Sequence, residues 1–226
     1  MTDPSAEDIE RATNLIRSHT RVQAPGLVPE VRLRLAWDPY ELWKSTQTLL
    51  GINDLPMPFW AFAWSGGQAL ARYVLDHPEV VLGRAVLDIG SGSGMVGIAA
   101  ALAGAASVLM VETDPIARTV IGLNAEQNGV SDKLFVEASV PAARRIGVVL
   151  AGDVFYEREI AEHMLERFRV FAHAGILVLV GDPGREHLPV GHLNSLATFS
   201  VPVMDVVEAG TVRETTVWSF HSDVDS

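Results

Sequence analysis

The sequence predicts an α/β protein: an open sheet of seven strands, closed by an antiparallel pair and preceded by a small helix–strand–helix extension. Three observations predict it. Residues 86–97 read V-L-D-I-G-S-G-S-G-M-V-G, an apolar strand leading into a glycine-dense turn and a small-residue helical run over 95–103. That is the opening unit of an open α/β sheet that holds a nucleotide-like ligand beyond the strand's carboxyl end. Further apolar, strand-length runs at 108–111, 134–136, 148–152 and 176–180 alternate with helical stretches, the order of a parallel sheet. Residues 201–207 and 212–220 flank Ala209-Gly210 and read as the closing hairpin.

Composition bounds the answer. At 226 residues the chain suits one domain with a short extension, divided here into 1–55 and 56–226. A hydrophobic content of 48% without a bilayer-length apolar run describes a globular protein rather than a membrane one. The formal charge of −11 disfavours a nucleic-acid partner and suits a basic or lysine-bearing one. Without cysteine there are no disulfides and no thiolate metal sites. The first ten residues are acidic and lack an apolar core, so a cytoplasmic address is expected.

Taken in order, Asp3-Pro4 reads as a helix cap with proline at the first helical position, opening a helix to about Ser18 with a stripe of Ile9, Leu15 and Ile16. Residues 23–29 are a Pro/Gly-broken connector. Val31, Leu33 and Leu35 alternate with Arg32 and Arg34, a half-buried strand. A helix over 40–50 ends at Gly51. The segment P-M-P-F-W-A-F-A-W-S-G-G-Q at 56–68 is an aromatic loop entering a helix that stops before Pro78. It reads either as a hydrophobic plug under the extension or as a ligand mouth formed by Trp60 and Trp64, with Gly66 and Gly67 permitting close backbone approach.

The glycine turn has two registers. Gly92, Gly94 and Gly97 satisfy G-x-G-x-x-G, a weak dinucleotide fingerprint taken alone. Its first glycine, however, falls three residues after Ile89, late for a dinucleotide turn. The other register, Asp88-Ile-Gly90-Ser91-Gly92-Ser-Gly94, puts an acid at the strand's end. A carboxylate there repels pyrophosphate and suits a phosphate-free cation such as S-adenosylmethionine. The second register is preferred.

Glu112 lies 24 positions beyond Asp88, near where a nucleotide fold places the acid that accepts from both ribose hydroxyls. Asp114-Pro115 is better read as a helix cap, for a helix that Gly129 ends. Glu137, Ala138 and Ser139 follow the third strand on the adenine side. The fourth strand delivers Gly152, Asp153 and Tyr156 into the crevice. Residues 157–171 form an amphipathic helix with Ile160, Met164, Phe168 and Phe171 toward the sheet. Asp182 and Arg185 read as an ion pair within the turn 181–185. The seven histidines show no metal-ligand spacing, and neither a serine elbow nor a P-loop lysine is present.

With these residues in hand, the chain resembles the seven-β-strand, Rossmann-like S-adenosylmethionine-dependent methyltransferases through residues 86–94, E-T-D-P at 112–115 and Asp153. Within them it looks like the electron transfer flavoprotein β-subunit lysine methyltransferases, through F-W-A-F-A-W-S-G-G-Q-A-L-A-R-Y at 59–73, G-D-V-F-Y at 152–156, G-D-P-G-R at 181–185 and T-V-W-S-F at 216–220. The resemblance covers about residues 56–220. It implies transfer of methyl groups to lysine side chains of a protein, that flavoprotein subunit or a ribosomal protein. By the same resemblance Trp64, Asp88, Gly90, Ser91, Gly92, Glu112, Ser139 and Gly152 belong to the cofactor site, while Asp153 and Tyr156 form the D-x-x-Y element at the active centre. No metal, nucleic acid or membrane is expected. Ala138 stands where relatives often carry an amide or acid, and residues 1–55 carry no recognised motif. The alternatives left by the residues are a small-amine acceptor, a nicotinamide oxidoreductase using the Gly92 register, or a binding module without catalysis.

Overall fold

The computed structural model describes residues 5–141, 145–205 and 207–221. Asp3 and Pro4 lie outside the described residues. The first helix, α1 (Ala6–His19), is instead capped by Ser5, whose hydroxyl accepts from the Asp8 amide at 3.2 Å while Asp8 accepts from the Ser5 amide at 3.1 Å. Its buried stripe is Ala12, Leu15 and Ile16, and Ile9 faces outward.

Two short strands that follow, β1 (Thr20–Gln23) and β2 (Leu33–Ala36), pair antiparallel as a separate ribbon. The first was invisible in the sequence because only one of its four residues is buried. Helix α2 (Pro39–Leu50) begins at the Asp38 cap and ends at Gly51 with φ +66°, as expected. Next come α3 (Ser65–Asp76), β3 (Ala85–Ile89), α4 (Met95–Leu102), β4 (Ser107–Val111), α5 (Pro115–Gln127), β5 (Leu134–Glu137), β6 (Val148–Gly152), α6 (Arg158–His173), β7 (Leu177–Asp182), β8 (Leu193–Pro202) and β9 (Val212–Phe220).

The main sheet has seven strands in the order β5-β4-β3-β6-β7-β9-β8, parallel through β7 and antiparallel at β9 and β8. The hairpin strand expected over 201–207 instead runs Leu193–Pro202 and ends where the expectation began. It is an edge strand, exposed along most of its length, so small and polar residues replaced the apolar run that marks a buried strand. Alternation along the central strands splits the core. Val86, Val108, Met110, Val148 and Leu150 pack with α3 and α4 on one face; Leu87, Leu109, Val149 and Val178 pack with Phe155 and Phe168 on the other. The chain order reverses at β3, between β4 and β6, which opens a crevice at the carboxyl ends of those strands. Among the described residues, no helix is long and apolar enough to cross a membrane.

Candidate active site

The crevice is walled by Phe62, Trp64, Gly67, Asp88, Gly90, Ser91, Gly92, Ser93, Met95, Val96, Gly152 and Asp153. Seven of the ten expected site residues therefore meet at one place. Gly90, Gly92 and Gly94 all carry positive φ (+68°, +52° and +84°), which lets the turn double back beneath a ligand.

Asp88 is almost wholly buried, and its Oδ2 accepts from the Gly97 amide at 3.0 Å. The cap residue of α4, Gly94, offers no side chain, so Asp88 takes over an orphan amide of that helix. Burial, with a further push from the negative Glu112, raises the Asp88 carboxyl to about 7 against the pull of the Gly97 amide. Glu112 is held from both sides: Oε2 accepts from the Gly92 amide at 2.9 Å and Oε1 from the Asp114 amide at 3.0 Å. Each oxygen keeps a free lone pair, so the carboxylate can still accept from two hydroxyls. Asp114 caps α5 through the Ile116 amide, as expected. Ser139 is exposed on the turn after β5 and lies outside the crevice wall.

Asp153 follows β6 in the left-handed region at φ +58°. Its Oδ2 accepts from the Gly67 amide at 2.8 Å and its Oδ1 from Arg185 Nη2 at 2.7 Å. Burial lifts its carboxyl to about 6, although the Arg185 guanidinium pulls the other way. Tyr156, half exposed, sits 5.6 Å from the Phe59 ring, and Phe59 is 5.7 Å from Trp64. Burial raises the Tyr156 hydroxyl, helped by Glu157 and Glu112. These three rings form a row that ends at Trp64 on the crevice wall, where the Arg185 guanidinium stands over the Trp64 ring at 5.8 Å.

The aromatic loop divides between its two readings. Trp60 is buried against Ala12, Leu15, Ile16 and Leu42 and plugs the space under the extension, so it is not at the mouth; Trp64 lines the crevice. Gly66 and Gly67 serve helix–sheet packing. A Cβ on Gly152 would stand 2.8 Å from Gly67 Cα, and one on Gly66 would overlap the Gly181 carbonyl and lie 2.6 Å from Asp153 Oδ2. The expected ion pair inside the 181–185 turn is present but long, with Arg185 Nε 4.0 Å from Asp182 Oδ2. Asp182 Oδ1 accepts from the Gly184 and Arg185 amides at 2.8 and 2.7 Å, while the Arg185 guanidinium makes its short contact with Asp153. Glu208, which sequence reasoning missed, is buried at the first turn of α3, where it takes the Ser65 amide at 3.0 Å and the Ser65 hydroxyl at 2.7 Å. It sits on an ordinary-looking connector after β8, and no local pattern marks it.

Comparison with known proteins names this arrangement. A relative from Xenopus laevis, an electron transfer flavoprotein β-subunit lysine methyltransferase, is 37% identical over 92% of this chain and 86% of its own. The chain belongs to that lysine methyltransferase family. The Homo sapiens member is 35% identical over 91% of this chain and 80% of its own. The model of a wider family, ribosomal protein L11 methyltransferase, matches residues 68–169, which is the stretch from α3 to α6 and contains every strand of the crevice. A solved putative methyltransferase complexed with SAH shares the fold at a TM-score of 0.54, with 11% identity over 84% of this chain and 54% of that one. As a member of that family the chain is an enzyme, a methyltransferase.

Proposed function

We propose that this enzyme transfers methyl groups from S-adenosylmethionine to lysine side chains of the electron transfer flavoprotein β subunit. The observation that carries the reading is that Asp153 shares walls with the Asp88–Gly92 cradle. An amine held by the first thus lies beside a ligand held by the second.

The cradle suits the cofactor on this chain's own chemistry. Three positive-φ glycines leave bare backbone for the ligand to lie against. Asp88 is a buried acid whose carboxyl is raised to about 7 by burial, and Glu112 is a pre-oriented double acceptor. By this reading Trp64, Asp88, Gly90, Ser91, Gly92 and Gly152 hold the methionine and ribose side, and Glu112 takes the ribose. Ser139 remains a candidate only for the exposed adenine edge. When bound, S-adenosylmethionine supplies an electrophilic methyl group.

Lysine arrives as an ammonium, and at pH 7 only about one in a thousand is neutral, a cost of roughly 4 kcal/mol before chemistry begins. Asp153 attracts that ammonium and orients it by hydrogen bonding. Its raised carboxyl is also a better proton acceptor than a solvated aspartate. Tyr156 offers a hydroxyl to the amine's remaining hydrogens, while Phe59 and Trp64 shield the methylene stem from water. Most of the acceleration comes from holding two reactants in line. Residues 1–55 act in this reading as an extension that braces the site, with α1 and α2 packed on Trp60, Phe62 and α5.

Purified flavoprotein β subunit incubated with methyl-labelled S-adenosylmethionine and the enzyme, followed by mass spectrometry of tryptic peptides, tests the reading. Methylated lysine is expected. Label on ribosomal protein L11 and none on the flavoprotein subunit would transfer the activity to the other acceptor.

A further inference from the structure

Arg185 faces more negative charge than one guanidinium answers. Its Nη2 lies 2.7 Å from Asp153 Oδ1 and 3.8 Å from Glu208 Oε1, and its Nε lies 4.0 Å from Asp182 Oδ2. The three acids are enclosed, with side chains 9%, 6% and 0% exposed in that order. Arg185 Nε and Asp182 Oδ2 face each other across that gap, and both are buried without a hydrogen-bond partner among the described residues. Buried polar atoms of native proteins rarely stay unpaired when a complementary partner is so near. A shift of about 1 Å would bring the two to hydrogen-bonding distance. The guanidinium is instead bonded to Asp153 at 2.7 Å and stands over the Trp64 ring at 5.8 Å.

We propose that Arg185 is a positioning residue that occupies the acceptor ammonium's place on Asp153 Oδ1. The arriving ammonium displaces it toward Asp182 and Glu208. This rests on the lysine-methyltransferase reading and adds to it a second acceptor for Arg185. The charges are compatible with this, because three carboxylates around one guanidinium leave an excess of negative charge that an incoming cation reduces. Glu208 cannot swing aside, since Ser65 already holds both its oxygens. Asp182 is likewise pinned through Oδ1 by two amides, leaving Oδ2 as the open half. Arg185 therefore has two fixed destinations, and its departure frees Asp153 only while they are charged.

A double-mutant cycle on the full chain tests this, with the flavoprotein β subunit as acceptor. Glu208→Gln should raise the acceptor KM about five-fold or more, with a smaller change in kcat, because Arg185 then stays on Asp153; in an Arg185→Gln background the same substitution should change KM less than about two-fold. Arg185→Gln by itself should move the acid limb of the rate profile to higher pH, since Asp153 loses the cation that favours its charged form. A merely structural arginine would leave the effect of Glu208→Gln on KM the same in both backgrounds. Equal effects of Glu208→Gln in both backgrounds, or an unmoved acid limb, would overturn the proposal. If Glu208→Gln does not fold, Asp182→Asn runs the same cycle, because its amide oxygen keeps the turn. A wild-type enzyme that binds S-adenosylhomocysteine but labels no lysine refutes the functional reading instead; one that labels lysine yet gives an additive cycle refutes only the role of Arg185.

Discussion

Gly67 donates its amide hydrogen to the Asp153 carboxylate over 2.8 Å, joining two residues 86 positions apart in the chain. The same device recurs at Gly97 and Asp88. Both helices begin without a side-chain cap of their own, so each leaves orphan amides that an acid from a strand end satisfies. Both amides belong to glycine, and at Gly97 a Cβ would stand 3.0 Å from the Asp88 carboxylate. The acids at the heart of the candidate site are therefore also structural. Backbone amides of the two helices hold them in place.

Substitution at Asp153 should separate these two roles. Asparagine keeps an oxygen for Gly67 and tolerates the left-handed backbone at φ +58°. For Asp153→Asn a melting temperature within about 3 °C of wild type is expected. Methyl transfer should fall at least about a thousand-fold as the charged anchor is lost. Asp153→Ala should melt lower than Asp153→Asn by the equivalent of about 1–2 kcal/mol, because it loses the cap and strains the backbone. Thermal melts and a radiolabel assay on both variants check this; near wild-type turnover in Asp153→Asn removes it from the chemistry.

Gly66 and Gly181 let α3 lie against the end of β7 with no side chain between them. Adding a methyl group at Gly66 should cost at least about 3 kcal/mol, since the obstacle is backbone that cannot rotate away. Gly191→Ala is the control: no atom lies within 4 Å of its would-be Cβ. That variant should stay within about 0.5 kcal/mol of wild type. Urea denaturation of the two proteins gives the comparison directly.

Asp88 sets a pH dependence for cofactor binding. Its folded carboxyl, at about 7, lies above the ordinary aspartate range. Without ligand the neutral form is favoured, and a bound cation favours the charged one. Affinity for S-adenosylhomocysteine, whose amino group is cationic, should rise with pH up to about 7, with a proton released on binding below that point. Calorimetry at pH 5.5 and 8 in buffers of different ionisation enthalpy measures both quantities. For the free protein the sign is opposite: the contribution of Asp88 to stability is full below the unfolded value and fades as pH rises through 7. Asp88→Asn should accordingly melt higher than wild type at pH 8 while binding the nucleoside poorly. Equal affinity at the two pH values would sink the assignment.

Glu112→Ala removes two acceptors from amides at 2.9 and 3.0 Å and the pair of oxygens read as facing a ribose. A dissociation constant for S-adenosylhomocysteine weakened by about 10- to 100-fold is expected, from hydrogen bonds to a charged group. An unchanged constant in calorimetry would leave Glu112 as a brace of the glycine turn and nothing more.

The glycine turn, the acids at 88, 112 and 153, the capping Asp114 and the strand–helix order were all legible in the sequence. Most of these depend on residues within a few positions of one another, where backbone preference and hydrophobic period act directly, while Glu112 rests on its spacing of 24 positions from Asp88. Asp88 illustrates this: an acid one residue before a strand's end and two before a glycine turn already limits what the turn can hold. The tertiary structure alone decided the partners of those groups. Glu208 reaches Ser65 across 143 positions, and Arg185 bonds to Asp153, 32 positions away, at 2.7 Å while standing 4.0 Å from the Asp182 of its own turn. Helix α3 could come no closer to the sheet than its glycines allow, and its bare amides then drew in whichever acids the strand ends and loops presented. Burial, a property of the whole packed chain rather than of any segment, is also what moved Asp88 and Asp153 toward neutrality.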